Sequence, residues 1–90
     1  MGINESVRFV VNDLSLRNPD QLSRREVEVL IWAMEGKTNW EIAVILALSE
    51  RTVKFHVHNA MSKLRATSRA HAVAVAIRRG LIPTDTADLA

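Results

Sequence analysis

The stretch Thr38-Asn39-Trp40-Glu41-Ile42-Ala43-Val44-Ile45-Leu46-Ala47-Leu48-Ser49-Glu50-Arg51-Thr52-Val53-Lys54-Phe55-His56-Val57 decides the fold. Thr38 followed three residues later by Glu41 is a capping box, in which each side chain satisfies an amide the helix start leaves orphaned. It opens a short helix, Asn39 to about Ala47, with Ile42, Ala43, Ile45 and Leu46 as its inner face. Ser49 caps the next helix, about Glu50 to Arg65, whose stripe of Val53, Val57, Ala60, Met61 and Leu64 keeps to one helical face. The connection Leu46-Ala47-Leu48-Ser49 is too short to lay the two helices antiparallel, so they must cross as a helix-turn-helix. Ala43 is small where they approach, and Val53 seals the junction from the other side.

Working outward, Ser23 and Glu26 form another capping box, opening a helix from about Arg24 to Glu35 with Val27, Leu30, Ile31 and Met34 on one stripe. Gly36 then suits the left-handed residue that stops a helix. Ser68 caps a last helix, Arg69 to Arg79, stopped by Gly80. The fold class is all-α: a four-helix bundle around a central helix-turn-helix. Ahead of it, Ile3, Val7, Val10, Val11 and Leu14 fit a helical stripe that Asn4 would cap. Val-Arg-Phe-Val-Val is also strand-like, since β-branched residues weaken helices. Residues 4–14 are predicted as a helix. The domain organisation follows as a linker or short helix over 1–21, the helix-turn-helix domain over 22–82, and a flexible tail over 83–90.

Composition narrows the function. The chain has 90 residues and is 48% hydrophobic, but only two Phe and two Trp are present, so the core must be aliphatic. There is no cysteine, which excludes disulfides, thiolate metal sites and a Cys nucleophile. No apolar run approaches the roughly 18 residues of a membrane span, and the N-terminus lacks a signal peptide's regions; a cytoplasmic location is expected. The net charge is +2, but its distribution is uneven. Residues 1–48 sum to −2; residues 49–79 carry Arg51, Lys54, Lys63, Arg65, Arg69, Arg78 and Arg79 against Glu50 alone; residues 80–90 return to −2. The basic stretch begins where the helix after Ser49 begins, and such a face suits a polyanion.

An enzyme is not expected. His56 and His58 are two apart on a helix, point to different faces, and cannot share a metal or form a dyad. No Gly-rich phosphate loop, paired carboxylate or nucleophile motif is present, and no cofactor is implied. Glu26 and Glu28 are accounted for by capping and by surface pairing with Arg24 or Arg25.

Three runs in order carry a resemblance. They are Leu22-Ser23-Arg24-Arg25-Glu26-Val27-Glu28-Val29-Leu30, then Gly36-Lys37-Thr38-Asn39-Trp40-Glu41-Ile42-Ala43, then Ser49-Glu50-Arg51-Thr52-Val53-Lys54-Phe55-His56-Val57 with Lys63-Leu64. Together they resemble the LuxR-type helix-turn-helix domain that ends NarL/FixJ response regulators and quorum-sensing activators, over about Gln21 to Ile82. Trp32 and the Gly-Lys-Thr-x-Trp-Glu-Ile run lean towards the quorum-sensing branch. Ala47 departs from the pattern, which often has Gly or Asn in that turn. A positive φ there costs an alanine on the order of 1 kcal/mol.

The resemblance implies sequence-specific binding of double-stranded DNA, with Lys54, Phe55 and His58 on the groove floor. Their chemistry agrees: Lys54 and His58 donate to guanine acceptors, and Phe55 packs on a thymine methyl. The alternative for Lys54 is a solvated surface lysine. Phosphate contacts are expected at the helix starts, from Thr38, Asn39, Trp40, Arg51 and Thr52, where free amides attract anions. His56 lies beside the apolar stripe and reads equally as a phosphate donor or a structural residue. Lys63, Arg65 and Arg69 would extend the footprint. On the last helix, Ala72, Val73, Ala76 and Ile77 are expected inside and His71, Ala74, Val75 and Arg78 outside. The resemblance makes this outer face the contact of a homodimer, centred on Val75, and hence implies a pseudo-palindromic site.

Two other readings compete. One is an interaction module that pairs with a full-length activator; the other is a sigma-factor region-four domain. RNA polymerase is a further expected partner. No receiver aspartate cluster or room for a lactone pocket is present, so the chain is expected to be either the excised C-terminal domain of a larger regulator, the favoured reading, or a stand-alone member.

Overall fold

A computed structural model describes residues 21–84. They form four helices: α1 (Arg24–Met34), α2 (Asn39–Leu46), α3 (Glu50–Leu64) and α4 (Arg69–Arg78). No strand occurs among the described residues. The predicted helix over 4–14, all but the last residue of the linker over 1–21 and most of the tail over 83–90 lie outside the described residues.

Each helix starts where its cap predicts. Ser23 Oγ accepts from Glu26 N–H at 3.1 Å while the Ser23 N–H donates to Glu26 Oε1 at 2.8 Å. Thr38 and Glu41 repeat this box with the same two distances. Ser49 Oγ takes the Thr52 N–H at 3.0 Å, and Ser68 Oγ takes the His71 N–H at 3.0 Å. Each such cap contributes about 1 kcal/mol.

All four helices also end alike. The residue after the last turn lies in the left-handed region, and the next N–H reaches back five residues: Lys37 to Trp32, Leu48 to Ala43, Ala66 to Met61, Leu81 to Ala76. This is the Schellman motif. Gly36 and Gly80 fill two of the left-handed positions at φ 84° and 70°. Ala47 and Arg65 fill the others at φ 58° and 55°. Ala47 thus carries the strain its place in the turn implied. At Arg65 no residue-type signal announces the stop.

α1 and α3 form the central pair; α2 packs on one side and α4 on the other. The core has two lobes. Val29, Ile42, Ala43, Val53 and Val57 join α1, α2 and α3, and fix the helix-turn-helix. Leu22, Leu30, Ile31, Ala60, Leu64, Ala72, Val75, Ala76 and Ile82 join α1, α3 and α4. Met61 packs against both.

Four expectations change. Val75 is 2% exposed and belongs to the core, so it cannot centre a dimer contact. The stripes 72-75-76 and 72-73-76-77 share both alanines, so the pattern leaves the phase open; Val75 turns inward, and Val73 and Ile77 are the half-buried edge. On α1 the buried apolar residues are Val29, Leu30 and Ile31, with Val27 and Met34 only half-buried. Ile45 of α2 is exposed rather than inward. Glu26 is 3% exposed and pairs not with Arg24 or Arg25 but with Lys63 of α3, at 2.9 Å. Arg24 and Arg25 pair with Glu28.

Candidate nucleic-acid interface

The first turn of α2 is built from the capping box inward. An α-helix leaves its first four N–H groups unpaired. Here Thr38 N–H goes to the Glu41 carboxylate and Glu41 N–H to the Thr38 hydroxyl. The N–H groups of Asn39 and Trp40 keep no acceptor among the described residues. Two adjacent free donors at a helix start are what a phosphate needs. The Glu41 carboxylate opposes this in part. It is held below the ordinary carboxylate pKa by the Thr38 N–H, then the Thr38 hydroxyl and the Lys37 charge, so it stays negative. From Trp40 onward α2 is apolar outside: Trp40 is 63% exposed, with Val44 and Ile45 on the same surface. Only its N-terminal end suits a polyanion.

α3 offers the larger cationic surface. Val53, Val57, Ala60 and Leu64 are buried, which turns Arg51, Lys54, Phe55, His58, Ser62 and Arg65 outward. Phe55 is 60% exposed, unusual for a phenylalanine that no core needs. None of Arg51, Lys54, His58 and Arg65 makes an ion pair or side-chain hydrogen bond among the described residues. Thr52 is half-buried, and its Oγ1 accepts from the Ser49 hydroxyl at 2.8 Å. His56 is half-buried too. Its ring lies edge-on to Phe55, centroids 5.6 Å apart, and its Nδ1 is buried without a hydrogen-bond partner.

Two basic residues assigned to phosphate are engaged inside the domain. The Lys63 ammonium donates to Glu26 Oε1 at 2.9 Å and to the Gln21 carbonyl at 3.2 Å, tying the end of α3 to the start of α1. Arg69 is half-buried and donates to Asn39 Oδ1 and to the Lys37 carbonyl. Spacing alone does not show either partner, since each lies 30 or more residues away. On α4, His71, Ala74 and Arg78 are exposed, as is Ala70. His71 Nδ1 accepts the Thr67 N–H at 3.1 Å.

The arrangement of two crossing helices, with a cationic outer face on the second, has counterparts. A profile of the family described as "Bacterial regulatory proteins, luxR family" matches residues 20–76. The chain belongs to the luxR family. Similar relatives include the HTH-type quorum sensing-dependent transcriptional regulator RpaR of Rhodopseudomonas palustris, 56% identical over 70% of this chain and 26% of that protein. The transcriptional activator protein LuxR of Aliivibrio fischeri is 44% identical over 80% of this chain and 29% of its own. Among solved structures, the transcription factor GerE superposes with a TM-score of 0.69 at 29% identity, covering 77% of this chain and all of that one. The chain spans about a quarter to a third of the length of these curated relatives. It carries the helix-turn-helix DNA-binding domain of a luxR-family transcriptional regulator, in a family of regulators and not of enzymes. No helix among the described residues is long and apolar enough to cross a membrane.

Proposed function

We propose that the domain reads double-stranded DNA sequence-specifically, with α3 in the major groove and the start of α2 on the phosphate backbone. One observation carries this: the first nine residues of α3 keep Lys54, Phe55 and His58 exposed, with both donors unengaged. A recognition helix contacts base edges chiefly from its N-terminal turns. Lys54 and His58 are the hydrogen-bonding readers and Phe55 the apolar one. Phosphates are met by the free amides of Asn39 and Trp40, by the Thr38 and Thr52 hydroxyls, by Arg51 and Arg65, and by His56 through Nε2. Lys63 and Arg69 leave this set because of their internal partners.

The same reading includes a homodimer through α4 on a pseudo-palindromic site. With Val75 inside, its face becomes Ala70, Ala74 and Arg78, bordered by His71; small residues there let two helices approach closely. Quorum-sensing control is carried with it, because RpaR is named a quorum sensing-dependent transcriptional regulator; a cytoplasmic location and RNA polymerase as a protein partner belong to the same proposal. The experiment is a gel-shift series on duplex DNA across salt, followed by selection of bound sequences from a random library. Retention at low salt, a steep loss with added salt, and a recovered consensus with paired half-sites support the reading. No retardation of any duplex at low salt overturns it.

A further inference from the structure

Arg69 stands on the first turn of α4, yet its guanidinium ends at the start of α2. One nitrogen donates to Asn39 Oδ1 and the other to the Lys37 carbonyl. α2 and α4 otherwise flank the α1–α3 pair on different sides, and no other side-chain hydrogen bond joins them among the described residues. The planar fork of an arginine suits two acceptors held at a set spacing.

Each half of the fork has a consequence. The Lys37 carbonyl belongs to the peptide that enters the Thr38 cap, so gripping it fixes the approach of the chain to α2. The Asn39 amide has an acceptor end and a donor end. With Oδ1 against the guanidinium, Nδ2 must turn away, because the flipped amide would set N–H against N–H. That leaves Nδ2 as a donor free of the guanidinium, on a residue whose backbone amide is also unpaired. We infer that Arg69 is a positioning residue for DNA binding: it does not itself meet the DNA but holds the phosphate-facing start of α2, through Asn39 and Lys37, against α4. This rests on the reading that α2 meets the backbone.

The test is a fluorescence-anisotropy titration of the whole chain against the selected site and a random duplex over a range of salt. It uses the wild type, Arg69→Ala, Arg69→Lys, Asn39→Ala and the Arg69→Ala/Asn39→Ala double variant, each checked for helix content by circular dichroism. Arg69→Ala is expected to weaken both duplexes alike by about tenfold. The slope of log K against log salt stays unchanged, since no phosphate loses its cation. The double variant binds no worse than the poorer single one, and Arg69→Lys restores part of the loss. A slope smaller by about 0.9 with additive losses would make Arg69 a direct phosphate ligand and overturn the inference. So would affinity equal to wild type in Arg69→Lys and Arg69→Ala alike. Should Arg69→Ala lose its helices, Arg69→Lys and Asn39→Ala decide on the same two readouts. Failure of the wild type to bind any duplex overturns the reading of α2 itself and this inference with it; a binding wild type with unaffected variants overturns the inference alone.

Discussion

At the scale of single residues, Ala47 and Arg65 show the domain accepting local strain to keep its shape. Both sit in the left-handed region, near φ 58° and 55°, and both close Schellman motifs that end α2 and α3. A Cβ there is disfavoured by about 1–2 kcal/mol, partly offset because glycine loosens the unfolded chain. Ala47→Gly is therefore expected to stabilise by about 0.5–1 kcal/mol, raising the thermal midpoint by a few degrees in calorimetry. An unchanged or lower midpoint would mean the Ala47 methyl gains more from its surroundings than the backbone loses. Lys63 gives the opposite case. It neutralises Glu26, whose side chain is 5% exposed, while itself remaining 26% exposed. Lys63→Met strands that carboxylate and is expected to cost about 1–3 kcal/mol, less than for a fully buried pair. The salt slope of DNA binding should not move, whereas loss of a phosphate contact would reduce it by about 0.9.

At the scale of elements, the helices were legible because their punctuation is local. Ser23, Thr38, Ser49 and Ser68 announce the starts, and two of the four stops are glycines. Each helix proves one residue shorter at its C-terminal end than its pattern suggested, since the last helical-looking residue is the cap itself. Which face turns inward was legible on α3, where bulky valines alternate with charged residues. It was not legible on α4, where alanines on every side leave the phase open and Val75 was placed outside. Glu41 makes a prediction at this scale. Its folded pKa lies below the ordinary carboxylate value, first through the Thr38 N–H. Its contribution to α2 is thus complete above the unfolded pKa and is lost as pH falls through the folded one. In a pH series of thermal midpoints, wild type should lose its advantage over Glu41→Gln as the solution is acidified through that window. A constant difference would show that the charge does no capping.

At the scale of the whole molecule, the basic side chains Arg51, Lys54 and Arg65 stand exposed along α3. The α1–α3 pair supplies a rigid centre, α2 and α3 share one core lobe, and α4 shares the other. The candidate site was legible as far as it depends on helical phase: Lys54, Phe55 and His58 are exposed together, as their spacing from Val53 and Val57 requires. It was not legible where long-range partners decide. Lys63 and Arg69 looked like two more surface cations, and only folding brings Glu26, Lys37 and Asn39 against them. The luxR-family membership makes DNA the polymer this domain binds, and the proposed reading leaves the choice of sequence to the residues of α3.

The most direct test compares sequence selection from a random duplex library by the wild-type chain and by Lys54→Ala. If α3 reads bases as proposed, the wild type yields a consensus. Lys54→Ala then recovers the same consensus relaxed at one position of each half-site, with a loss of about 1–3 kcal/mol on the original sequence and little loss on random DNA. An unaltered consensus, or an equal loss on every sequence, would contradict the account and move Lys54 to the phosphate backbone.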